Sequence, residues 1–342
     1  MPKLARDIEA SLVLVEPPRN VRQPEVDLTI FVNGAEPGAF TVEGERLWTY
    51  TPTIDHVWYQ ASDVALSPDR QAVYFVGDIY DDWVGSEWDD FRAIITKLDR
   101  NGNLLWELIT TVDLGDHPAN LATAVAVAAN GDVYVHYTTA PFVGYLMRLN
   151  PSDGAVEAHS SSFVPYSSVT RMVADAGVWM LPENSFVFFY GADCEPVWDS
   201  PADAIGEAIA YNGSDRVVQG NVNSVQAYVA ATGGDVFTYA DAVNRWRGVA
   251  YDNDGHVCAA GRPPTNQPEG SDAGRLTKIG PDGSEVWTVP VDVTNNLGDV
   301  RVDDAGNILV WTQFSVQVFD SEGTRMAQHP HGYPGGFYVE VG

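Results

Sequence analysis

The stretch Asp78–Phe91, DIYDDWVGSEWDDF, is the richest in residues able to do chemistry. Its acids are Asp78, Asp81, Asp82, Glu87, Asp89 and Asp90, and its aromatics are Tyr80, Trp83, Trp88 and Phe91. Two carboxylates at the right separation cleave glycosides, but sequence does not set that separation. Rings beside acids also suit sugar binding: a ring stacks on the apolar face of a pyranose while carboxylates accept its hydroxyls. The same composition suits a protein interface, where Trp and Tyr carry much of the energy. The plainest reading is a solvated loop whose rings fold back on the protein. The candidate binding residues are Tyr80, Asp81, Asp82, Trp83, Glu87, Trp88, Asp89 and Asp90.

Other constellations are weaker. The stretches DNDG (Asp252–Gly255) and DRNGN (Asp99–Asn103) resemble the start of a calcium loop, which needs a bidentate glutamate at its twelfth position. Pro263 and Thr110 stand there, so these are read as hairpin turns. His329 and His331 have no third ligand at useful spacing. His56, His117, His136, His159 and His256 suggest no triad, and neither a nucleophile elbow nor a phosphate loop occurs. Cys194 and Cys258 form neither a disulfide framework nor a metal spacing. The expectation is no catalytic residue, no metal and no cofactor.

Composition narrows the partners. The 342 residues carry 47 acids against 19 basic residues, a net charge of −28. Such a surface repels phosphate backbones, so nucleic acid is not an expected partner. No segment approaches the roughly 20 apolar residues of a membrane span. The N-terminal apolar run is interrupted by Glu16 and does not read as a signal peptide, so a cytoplasmic origin is expected.

These residues must be held by elements that recur. Short alternating runs flank Asp, Asn and Gly turns at Val64, Val125, Thr170, Val249 and Val300. Such turns take the positive φ that Gly and Asn tolerate and match the twist of a hairpin. A second hairpin follows each: KLDRNGNLLWELITT from Lys97 and KIGPDGSEVWTVPV from Lys278 both place glycine five and tryptophan nine residues after lysine. Each unit thus holds four strands over roughly 40 to 55 residues, the size of a β-propeller blade. Six units begin near Asp63, Asn120, Ser167, Ala204, Val243 and Asn296, the fourth being the most degraded. GAFTVEGERLWTYTPT supplies another outer hairpin with Trp48 in the tryptophan position, VDLTIFVNG a strand before it, and FYVEV (Phe337–Val341) the missing inner strand. The fold expected is all-β: a β-propeller of four-stranded blades, seven favoured over six, closed by its N- and C-terminal strands.

The turns DDAGNILV and AANGDVYV, with KLDRNGNLLW and KIGPDGSEVW, resemble the NHL, SMP-30 and quinoprotein-like propeller repeats over nearly all of the chain after about residue 40. The resemblance implies architecture and leaves function open among enzymes, sensors, scaffolds and virus particle proteins. It implies that Trp106 and Trp287 lock neighbouring blades. The adjacent cysteine pair of quinone-dependent dehydrogenases is absent, and no spacing selects the Glu, Asn and Asp cluster that the lactonases place around a divalent metal.

Residues 1–25 read as an extended arm ahead of a propeller at 26–342. Lys3, Arg6, Arg19 and Arg22 balance Asp7, Glu9, Glu16 and Glu25, so the propeller body carries the whole net charge. The arm suits addition to a neighbouring subunit or packing on its own body. The function expected is a non-enzymatic binding or structural module in a larger assembly. Its narrowest form is a virion protein of a tail, fibre or capsid decoration, with other virion subunits and a host-surface glycan as partners. The rival is a metal-dependent or sugar-active propeller enzyme, lactonase- or glycosidase-like, with its site at the central channel.

Overall fold

The computed structural model describes residues 12–15, 29–32, 36–41, 45–53, 58–80, 91–109, 119–139, 143–161, 169–182, 186–200, 206–262, 273–292, 297–303, 305–312, 315–330 and 339–341. Among them every regular element is a β-strand, so the all-β expectation stands. The first sheet contains β1 (Leu12–Val15), β2 (Thr29–Val32), β3 (Gly38–Thr41) and β4 (Arg46–Thr49), each antiparallel to the next. The second contains β5 (Trp58–Leu66), β6 (Ala72–Tyr80), β7 (Phe91–Asp99) and β8 (Leu104–Ile109). The third contains β9 (Ala119–Val127), β10 (Val133–Thr139), β11 (Val143–Leu149) and β12 (Val156–His159). The fourth contains β13 (Val169–Ala174), β14 (Gly177–Pro182), β15 (Phe188–Gly191) and β16 (Pro196–Asp199).

A six-stranded sheet follows, ordered β17 (Gly206–Tyr211), β18 (Arg216–Val229), β19 (Asp235–Tyr251), β20 (Val257–Arg262), β21 (Ala273–Ile279) and β22 (Glu285–Asp292). β18 doubles back on itself. The Ala230 amide donates to the Asp215 carbonyl at 2.7 Å, Asn221 Nδ2 donates to Ser224 Oγ, and the turn at Asn223 takes φ 74°. β19 pairs with β18 through its first half and with β20 through its second. The six strands therefore comprise two four-stranded antiparallel sets joined through β19, which explains why this unit looked most degraded in sequence. The last complete set is β23 (Leu297–Val302), β24 (Ile308–Thr312), β25 (Ser315–Phe319) and β26 (Arg325–Pro330).

The chain's last strand, β27 (Val339–Val341), joins the first sheet. It runs parallel to β1, with Leu12 opposite Val339 and Leu14 opposite Val341. The two ends do share a sheet, but the partner of β27 comes from the stretch read as an arm. Four apolar residues in a row, LVLV at 12–15, make this strand.

Second strands are mostly apolar, and β14, β20 and β24 are buried at nearly every position. Continuous apolar runs are what a strand needs when covered on both faces. The covering comes from neighbouring sheets. Phe31 and Ala39 of the first sheet pack with Val64 and Phe75 of the second. Tyr74 and Val76 of the second pack with Val125 and Val135 of the third, and Cys258 and Leu276 pack with Val300 and Val310. Burying each such side chain contributes about 1.5–3 kcal/mol, so the core is a series of layers between sheets.

Irregularities recur in register. The first strand of every set from β5 onward carries an extra residue at the same place: Ser62, Thr123, Thr170, Glu207, Arg247 and Gly298. Bulges of this kind sharpen twist and re-aim the next side chain. The outer ladders also match. Trp48, Trp106, Ala158, Trp198, Phe237, Trp287 and Ala327 stand opposite Ala39, Lys97, Arg148, Phe189, Ala227, Lys278 and Val318 respectively, each beside a register shift.

The aromatics of this column dock on the outer turn of the following sheet. Trp106 Nε1 donates to the Pro151 carbonyl at 3.0 Å, and its ring covers Gly154, where φ is 74° and a Cβ would meet the indole at 3.0 Å. Only glycine satisfies both conditions without strain. Trp48 reaches the Arg100 carbonyl, Trp198 that of Ala230 and Trp287 that of Ser321. The lysine nine residues earlier joins the same acceptor: Lys97 Nζ lies 2.7 Å from the Pro151 carbonyl, and Lys278 Nζ 3.4 Å from that of Ser321. Lys97 and Lys278 are two of only three lysines in the chain, so the repeated Lys–Trp spacing is a fold device.

Candidate functional site

The first strands meet around a cavity of about 210 Å³. Asp63 on β5, Arg171 on β13 and Arg301 on β23 bring charge to its wall, and Ile209, Ala210 and Val249 are among its apolar lining. Val173, Tyr211, Tyr251 and Val302, at or next to the C-terminal ends of their strands, are partly exposed and also line it.

Asp63, Arg171 and Asp299 all directly follow the bulged residue of their strands. The other members of that column are Ala124, Ala208 and Gly248, all small. A Cβ on Gly248 would lie 2.6 Å from the Val300 amide nitrogen, so this column abuts the next first strand. Asp63 uses that closeness: Oδ1 accepts the Val64 amide and Oδ2 accepts the Val125 amide of the following sheet, both at 2.9 Å. Asp299 repeats the first bond, accepting the Val300 amide at 2.8 Å.

The other oxygen of Asp299 is used differently. Oδ2 accepts Arg171 Nη1 at 2.7 Å, while Arg301 Nη1 lies across both oxygens, 3.0 Å from Oδ2 and donating to Oδ1 at 3.1 Å. β13 and β23 are not neighbours, since β17 and β19 stand between them in the series of first-strand contacts. A buried carboxylate thus holds two guanidiniums at the cavity, one of them reaching from a distant sheet. Nearer the start of the strands, Glu207 is engaged by Arg245 and, at 3.1 Å, by Arg247.

Asp252, Asp254 and His256 bring ligand atoms within 4.8 Å of one another, in the DNDG turn. Their arrangement is accounted for by the turn and its neighbour. Asp252 Oδ1 accepts the amides of Asp254 and His256, and Oδ2 receives Lys278 Nζ at 2.8 Å. Burial opposes its charge, but the hydrogen bonds and the Lys278 ammonium hold its carboxyl below the ordinary value. The two thiols are buried, which pushes both Cys194 and Cys258 up to about 12, out of the range of reactive cysteines.

Of the sequence-selected binding residues, Tyr80 closes β6 opposite Phe91. Asp81, Asp82, Trp83, Glu87, Trp88, Asp89 and Asp90 lie outside the described residues, as do Lys3, Arg6, Arg19 and Arg22. Asp78 is buried within β6 and so belongs to the sheet. The cavity residues were not singled out in sequence. Aligning the repeats on Val64, Val125, Met172, Ile209, Val249 and Val300 would have isolated them, because Asp63, Arg171 and Asp299 are then the only charged residues in a column of Ala and Gly.

No protein-family model matches the chain, and no curated protein is similar to it at a meaningful level.

Proposed function

We propose that the chain is a seven-bladed β-propeller acting as a non-enzymatic binding or structural module within a larger assembly. Support for the propeller comes from the first strands. β1 lies against β5, β5 against β9, β9 against β13, β13 against β17, β17 against β19, β19 against β23, and β23 against β27, which pairs with β1. Support for seven comes from the column running from Trp48 to Ala327, one member per four-stranded set. Every blade has its own pair of hairpins, and the termini share the first.

The observation that carries the non-enzymatic reading is the engagement of the central acids. A metal-dependent hydrolase needs carboxylates free to ligate a cation at the channel. Here Asp63 is tied to two amides and Asp299 to two guanidiniums, and nearby guanidiniums repel a divalent ion. The test is an activity screen of the purified protein on lactones and glycans with added Ca²⁺, Mn²⁺ or Zn²⁺. Turnover that disappears in Asp63→Asn or Asp299→Asn overturns the reading.

The binding surface is proposed at the Tyr80–Asp90 insertion, where aromatics and acids interrupt the repeat. A partner rich in basic and apolar groups fits the net charge of −28. The narrower proposal, a subunit of a virus particle with a host-surface glycan as a further ligand, is carried by sequence alone. Mass spectrometry of purified particles tests it: a chain found free in the cytosol and missing from particles rules it out.

A further inference from the structure

We propose that the central cavity is a binding site for a small oxyanion, a carboxylate or a phosphate, held between Arg171 and Arg301. Both guanidiniums belong to the cavity lining, and both pair with the one carboxylate of Asp299. Two like charges brought onto a single carboxylate repel each other, and an anion on their cavity side relieves that repulsion. Planar guanidinium forks match the oxygens of carboxylate and phosphate. The other lining side chains, apart from Asp63, Tyr211 and Tyr251, are apolar and do not compete for the guanidiniums.

Size and access fit a small ligand. A cavity of about 210 Å³ is below the usual range for drug-sized molecules. Arg301 is the more accessible of the two cations and Arg171 the more buried, their side chains being 20% and 7% exposed. The site uses inner-strand residues only and is independent of the Tyr80–Asp90 surface, so either assignment can fail without the other.

Acetate, lactate and inorganic phosphate are the probes, titrated against the full chain at constant ionic strength set with chloride. Thermal unfolding and calorimetry are the readouts. At a hundredfold excess over Kd, a site of this kind raises Tm by about 3–5 °C. The expected result is a saturable rise with at least one probe, stoichiometry of one, and Kd weakened about tenfold or more in Arg301→Gln. Arg301→Lys retains part of the affinity, because it keeps charge and loses the fork. Val302→Trp, at a partly exposed lining position, fills cavity space without touching a charge and serves if Arg301→Gln does not fold. Absence of a saturable rise with all three probes overturns the site. So does a rise unchanged in both Arg301→Gln and Val302→Trp.

Discussion

Arg171 Nη1 lies 2.7 Å from Asp299 Oδ2 across 128 residues of sequence, with the two side chains 7% and 0% exposed. Both side chains are largely withdrawn from solvent. Removing one partner of a buried pair costs up to about 3–5 kcal/mol. Asp299→Leu should lose about that much in urea unfolding, because Arg171 and Arg301 both give up the carboxylate they share. Arg171→Met should lose less, because Asp299 keeps Arg301 and the Val300 amide. The double variant should recover part of the sum, since apolar replacements of a whole pair are often tolerated. Single variants within 0.5 kcal/mol of wild type would show that the pair does not hold the sheets together.

Trp106 and Gly154 form one of the joints between sheets. Trp106→Ala removes a large, partly buried ring and its hydrogen bond to Pro151, a cost of about 3 kcal/mol. Gly154→Ala meets both a positive φ and an indole at 3.0 Å, costing about 1–3 kcal/mol. Lys97→Met should cost least. Its ammonium is partly desolvated, which lowers its pKa despite the opposing charge of Asp69, and it contributes one further bond to the same carbonyl. Chemical denaturation should rank the three in that order. A larger loss for Lys97→Met than for Trp106→Ala would refute the ranking.

Much of this frame was legible from Val64, Val125, Val249 and Val300, because alternation and Asn-Gly or Asp-Gly turns are local signals. The Lys97–Trp106 and Lys278–Trp287 spacing was legible too, since one joint recurs in two places. β18 was harder: its internal turn is Val222–Asn223, without glycine, so nothing local marks two strands. β1 was missed because four apolar residues between Ser11 and Glu16 carry no period. The Arg171–Asp299 bond was beyond reach for another reason. It depends on which sheets face one another, and no pairing rule along the chain states that. Ala158 and Cys194 were silent because both are small and apolar, although each occupies the place of a residue conspicuous in other sets.

His136 sits on β10 with no exposure, its Nδ1 2.7 Å from Thr123 Oγ1. Burial pushes its pKa from 6.5 down to about 3. The folded state therefore holds a neutral imidazole where the unfolded chain binds a proton. Stability from this residue is complete above pH 6.5 and falls as pH drops toward 3, at about 1.4 kcal/mol per pH unit. His136→Gln removes the titration. The stability gap between wild type and His136→Gln should narrow by about 2–3 kcal/mol between pH 7 and pH 4.5, with the chain's many carboxylates cancelling in the comparison. A gap independent of pH would mean that His136 is hydrated or charged in the native state.

Ala158 and Cys194 break the pattern of an aromatic over glycine. Ala158 stands in the tryptophan column opposite Arg148, and Cys194 takes the positive-φ turn position at 64°. The Cys194 amide donates to the Gly191 carbonyl just as that of Gly102 donates to Asp99 and that of Gly323 to Asp320. Cys194 is fully buried in the cluster that Ala158 packs against, so its side chain occupies the space an indole fills elsewhere. Ala158→Trp alone should overpack this joint and cost about 1–3 kcal/mol. Cys194→Gly alone should relieve the backbone but open a void, for a small net loss. Combined, the two should restore the arrangement of Trp106 over Gly154, and the double variant should be at least as stable as wild type. A double-mutant cycle in denaturant gives the coupling, expected to be favourable by about 1–3 kcal/mol. Strict additivity of the two changes would mean that Ala158 and Cys194 do not face each other across this joint.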